Sequence, residues 1–313
     1  MTSSEKKKIE KAIKYVERNS GATRRVFFIR NWRLTTARES VNCDEKAAKE
    51  LGVAMYEPII EYFFSANDEE KDILISILFC LYRLYALESV PAFLINVVLN
   101  DTISMKVRKH VVYSMPICFR SIPLNKIREI YSIKDFRLDI LNCLPCCKDK
   151  ERHEFAISLL NEQSNRRIIN SAVHSLIAEM ITPEEAKLLI TLYSKSIDPN
   201  LRCTIIELLF KSSTDDLHDF FITAFKKERR LMNKLQAIIG LCIKSDNEIA
   251  EEIMTEFVNE TMKREYVENE RDLVDLRFMV EQLDEHKKNY QSKAIHFAYE
   301  ALSSIKAVKL TNL

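Results

Sequence analysis

The chain has 313 residues, 47% apolar and 30% charged, enough apolar material to bury a core and too much for wholesale disorder. Its three glycines, Gly21, Gly52 and Gly240, exclude a Gly-rich phosphate loop and argue against hairpin-rich β architecture, because both need backbone at positive φ. A net charge of +1 excludes a chain that binds polyanions through bulk charge, although the charge is unevenly placed.

Residues 4–18 read as an amphipathic helix with Ile9, Ile13 and Val16 inside and lysines outside. Residues 1–40 hold eleven Lys or Arg against four Glu, a balance of +7. Within them, the segment from Thr23 to Arg38 interleaves Arg24, Arg25, Arg30, Arg33 and Arg38 with Phe27, Phe28, Ile29 and the sole tryptophan, Trp32. Such a mixture can hold phosphates by charge and stack bases, or sit at an anionic membrane surface. Phe28 and Trp32 are also four residues apart, so the rings can pack inward on a helix with the arginines outside. Residues 1–43 are therefore assigned to a basic N-terminal helix and arm. The first residues lack the apolar run of a leader peptide, and the most apolar stretch, Ile73 to Leu87, is too short to span a bilayer and contains Arg83. With eight cysteines, this predicts a cytoplasmic protein, membrane-proximal if the chain is a fragment following a removed anchor.

From residue 44 to 245 the chain reads as successive helix pairs. Asp68-Glu69-Glu70 followed by Ile73 to Leu84 predicts the second helix of an incomplete first pair. The clearest pair runs from Ala86 to Pro116. Pro91 lies near the first turn of its first helix, Asn100-Asp101-Thr102 makes a polar turn, and Val107, Val111, Val112 and Met115 give helical spacing, with Arg108 and Lys109 on the other side. Weaker copies span 124–147, 151–178, 183–210 and 215–243. Basic residues open the second helices in phase: Arg108, Arg137, Arg167, Arg202 and Lys234. Residues 246–285 then carry fourteen Asp or Glu against four basic residues, and a helix over 290–306 places Tyr290, Ala294, Phe297, Ala301 and Ile305 on one face. Residues 246–313 are accordingly assigned to acidic, then amphipathic, C-terminal capping helices.

The pair at 86–116, with its Val-Pro, its loop Asp and its Val-Arg opening the second helix, resembles a HEAT repeat. The resemblance implies a right-handed all-α solenoid, in which each hairpin buries its apolar face against its neighbours. It also implies two roles for the cation column. One is a positive stripe on the concave face that grips phosphate or an acidic peptide. The other is a ladder in which each cation locks onto a loop Asp, with Asp101, Asp135 and Asp198 in position to accept.

No catalytic constellation is evident. Cys143-Leu-Pro-Cys146-Cys147 contains a C-x-x-C, but no second ligand pair stands at zinc spacing and only His153 is near, so these read as core cysteines. No H-x-x-x-H and no nucleophile turn occurs. No metal and no cofactor is expected. The function predicted is a noncatalytic interaction scaffold whose partner is a protein or peptide. One alternative is nucleic-acid binding, as in the HEAT-like DNA glycosylases, which the chain resembles in architecture but matches poorly with a single Trp. The other is docking of residues 1–40 on an anionic membrane surface. The sequence does not fix the oligomeric state.

Overall fold

The computed structural model describes the backbone of residues 1–19, 38–162, 165–214, 217–245, 248–264 and 271–305, and their side chains except at 38–42, 162 and 271–274. Among these residues there are seventeen α-helices, three short 3-10 segments and no strand, so the chain is all-α. The helices gather into two compact units, residues 1–149 and 150–313, divided between the second and third of the five predicted pairs that begin at residue 86.

The first unit contains α1 (Ser3–Asn19), α2 (Arg38–Leu51), α3 (Tyr56–Ser65), α4 (Asp68–Tyr85), α5 (Ser89–Leu99), α6 (Met105–Cys118), α7 (Leu124–Tyr131) and α8 (Arg137–Ile140), the last continued by a 3-10 segment, Leu141–Cys146. The incomplete pair gains its first helix in α3. Asn67 then starts α4 with a capping box: its Oδ1 accepts from the N–H groups of Glu69 and Glu70 at 3.0 Å each, and Glu70 accepts from the Asn67 N–H. Ile73, Leu74, Ile75, Ile77, Leu78 and Leu81 are at most 2% exposed. A helix buried all round needs neighbours on several sides, and α4 packs against α2, α3, α5 and α6. The second helices lie in file, α2 on α4, α4 on α6 and α6 on α8.

The second unit contains α9 (Arg152–Glu162), α10 (Arg166–Val173), α11 (Pro183–Lys195), α12 (Pro199–Lys211), α13 (His218–Lys227), α14 (Leu231–Ser245), α15 (Glu248–Met262), α16 (Arg271–Asn289) and α17 (Lys293–Ser303). Prolines occupy the first position of α11 and α12, where no N–H is needed. Thr182 and Asp198 cap them, and Thr182 forms a full capping box with Glu185. In this unit α10 packs on α12, α12 on α14, and α14 on α16. Gly240, inside α14, permits the close approach of α13: a Cβ there would lie 2.5 Å from Cε1 of Phe221.

Two predicted faces differ from the structure. In α17 the buried residues are Ala294, Ile295, Ala298 and Leu302, while Phe297 is 44% exposed. Helix α17 packs against α15 and α16, and the stripe centred on Ala298 is the one that meets them. Arg108, expected on the outer side of α6, is buried at 7% exposure, because its guanidinium turns toward the Val98 carbonyl.

Candidate functional site

The cations that open the second helices form a side-chain column repeated from hairpin to hairpin. At Arg108 the guanidinium turns inward: Nε donates to the Val98 carbonyl at 2.7 Å, near the end of α5, and the group lies 5.0 Å over the ring of Phe136 from the following pair. The carbonyls ending a helix have no intrahelical donor, so this contact satisfies one of them and draws the cation into the core. Arg137 is exposed; it stacks on Tyr131 at 5.2 Å and donates weakly to its carbonyl at 3.4 Å.

In the second unit the column becomes a set of cross-hairpin ion pairs. Arg167 is exposed, and its neighbour Arg166 makes the link instead, with Nη2 2.7 Å from Oδ2 of Asp198 in the next pair. Burial alone would raise the Asp198 carboxyl. Arg166, the Asn200 N–H and Asn170 outweigh that and hold it below the usual range. Arg202 reaches past Asp198 to Glu228, in the loop before α14, as a two-pronged pair: Nε to Oε1 at 2.6 Å and Nη2 to Oε2 at 3.0 Å. The Glu228 side chain is fully buried. It also accepts from Tyr193 Oη at 2.9 Å and Asn233 Nδ2 at 3.0 Å. Burial, followed by Glu228, pushes the Tyr193 phenol well up, and the hydrogen bond to Glu228 raises Arg202. Lys234 continues the series, 3.5 Å from Glu260 and 5.2 Å over the Phe225 ring.

Arg108, Arg166, Arg202 and Lys234 are thus engaged with neighbouring structure rather than aligned as a free positive stripe. Asp198 takes the predicted loop-Asp role, whereas Asp101 and Asp135 are exposed. Glu228, Tyr193 and Asn233 were not anticipated. Glu228 lies among Lys226, Lys227, Arg229 and Arg230, and such a run reads as solvated loop; nothing local marks this one carboxylate as buried.

Arg24, Arg25, Arg30, Trp32 and Arg33 lie outside the described residues. Arg38 opens α2, but its side chain lies outside them as well.

Two of the three clustered cysteines are core, and Cys146 is partly exposed. Cys143 and Cys147 are fully buried, and burial pushes the Cys143 thiol well up, away from the thiolate that redox or metal chemistry requires. Cys146 Sγ contacts the Pro116 carbonyl at 3.6 Å. Burial likewise pushes Cys80 up to about 12 and Cys118 to about 11. Both nitrogens of His153 are engaged: the Ile177 N–H donates to Nδ1 at 3.1 Å, so the proton resides on Nε2, which faces Glu185 at 3.2 Å. His286 differs. It is 4% exposed, stacks edge-on against Phe210 at 5.4 Å, and has no hydrogen-bond partner at either nitrogen among the described residues; burial lowers its pKa.

Two shallow recesses lie in the first unit. One of about 390 Å³ runs along the lysines of α1, and another of about 420 Å³ is rimmed by Glu5, Glu57 and Glu61 beside Phe64. Among the described residues no three His, Cys, Asp or Glu converge as metal ligands, and no helix is long and apolar enough to cross a membrane. No protein-family model, no curated protein and no solved structure matches the chain.

Proposed function

We propose that the chain is a HEAT-like α-solenoid acting as a noncatalytic interaction scaffold that binds a protein or peptide on its helical surface. The observation that carries this reading is the file of second helices within each unit. Hairpins that cover one another serially leave one edge of each helix free of core duty. On α6 that edge bears Ile117, 51% exposed, while Val107, Val111, Val112 and Met115 on the other side are fully buried. The engagement of the cation column with carboxylates, carbonyls and rings favours a peptide or protein over a phosphate backbone, because those cations are already neutralised or stacked.

The test is to capture partners with the full chain from its native host and reconstitute the purified binary complex. A stable complex that Ile117→Asp weakens at least about tenfold, with the melting temperature unchanged, supports the reading. If no binary protein complex can be reconstituted and the chain instead binds duplex DNA with steep salt dependence, the reading is wrong.

A further inference from the structure

The outward ridge of α1 consists of Lys7, Lys11, Lys14 and Arg18, all exposed. At about 100° per residue these four fall within about 60° of arc, opposite the buried stripe, and along about 16 Å of axis. That stripe is Ile9, Ala12, Ile13 and Val16. None of the four forms an ion pair with a described residue; the pair within α1, Lys6 with Glu10 at 4.0 Å, lies off the ridge. Because the apolar side of α1 is committed to the first unit, the ridge offers charge without an inserting face, which suits a folded acidic surface better than a bilayer.

Such a surface exists on the same molecule. Helix α15 turns Ala250, Met254, Phe257 and Val258 inward and leaves Glu248, Glu251, Glu252 and Glu256 exposed. Glu248, Glu252 and Glu256 follow one another every four residues, a repeat of about 6 Å that is close to the spacing of the α1 cations. None of them has an ion-pair partner among the described residues, whereas Glu260, further along, is taken by Lys234 and Arg264.

We infer that copies of this chain associate through unlike helices, the basic ridge of α1 on one copy seating against the acidic ridge of α15 on another. The contact joins two different surfaces, so every copy carries both halves of it. It is carried by charge, with little apolar burial, so it is weak and screened by salt. The inference is independent of the scaffold reading, since it uses neither the loop-edge ladder nor the outer edge of α6.

Sedimentation velocity of the full chain at about 50 mM and about 300 mM salt tests it. At low salt the weight-average mass should climb above that of the monomer with concentration, and high salt should weaken association about tenfold. K11E/K14E and E252K/E256K should each be monomeric alone, with unchanged melting. Mixed, they should associate again, because the first retains the acidic α15 and the second the basic α1. A chain monomeric at low salt up to about 100 µM, the range open to a small charge-dominated contact, overturns the inference. So does association that survives either reversal, or a mixture that does not recover. A monomeric chain whose binding to phosphatidylserine vesicles or duplex DNA is lost in K11E/K14E assigns the ridge to that polyanion and also overturns it.

Discussion

The two units use the same column of cations in opposite ways. In residues 1–149, Arg108 finds a helix-terminal carbonyl and an aromatic ring, both neutral. In residues 150–313, Arg166 and Arg202 find carboxylates on the next hairpin, one of them fully buried. A repeated basic residue therefore specifies a position in the hairpin, while its partner is whatever the neighbouring loop brings within reach. The energetic stakes differ accordingly. A cation on neutral acceptors can be removed at modest cost, but removing Arg202 strands a desolvated charge.

The sharpest way to break this contrast is at Arg202. Arg202→Met should destabilise the second unit by about 3–5 kcal/mol, and adding Glu228→Gln should recover much of that loss, as a double-mutant cycle by chemical denaturation would measure. Equal losses for Arg202→Met and Arg108→Met would erase the distinction. Arg108→Met should cost about 1–3 kcal/mol, from an unsatisfied carbonyl and lost stacking. Gly240→Ala should cost a similar amount, about 1–3 kcal/mol, because its methyl group must displace the Phe221 ring; Phe221→Leu in the same chain should relieve part of it. At the small end, Arg166→Ala removes a pair whose arginine is 60% exposed, and should cost at most about 1 kcal/mol, shrinking with added salt.

Acidification should separate the units as well. His286 and His174, both in the second unit, are held below the ordinary histidine range by burial. The unfolded chain therefore takes up protons that the folded one resists, and stability falls as pH drops below about 6.5. In the first unit Glu5, Glu45 and Asp72 are the lowered carboxylates, and Asp72 is the most buried of them. Burial would raise it, but the hydrogen bond from His110 and the Lys106 ammonium hold it below its ordinary value. Its contribution is present above the unfolded carboxylate pKa and is lost only below about pH 4. Hydrogen exchange followed by peptide mapping from pH 7 to 4 should show α16 and α12 loosening before α4 and α6. His286→Phe should remove its share of the early loss.

Much of this architecture was written locally. Scarce glycine, period-3.6 apolar stripes, prolines in first turns and Asn, Thr and Asp caps fix where helices start, because each acts through backbone groups within a few residues. Every predicted pair from residue 86 to 243 appears as two helices in the expected order. The second helices at 124–147 and 151–178 are shorter than their stripes suggested, the first giving way at Leu141–Cys146 to a 3-10 segment containing Pro145.

What packs around a helix was not written locally. The stripe of α17 could be drawn through Phe297 or through Ala298, and contact with α15 and α16 selects the second. Glu228 sits in a basic loop that reads as solvated, yet Tyr193 and Arg202 converge on it from two earlier helices and Asn233 joins them from five residues on. Helix starts and turns follow from interactions a few residues long, which neighbouring letters suffice to specify. The partner of a buried charge depends on groups some thirty residues away, whose meeting only the stacking of successive hairpins decides.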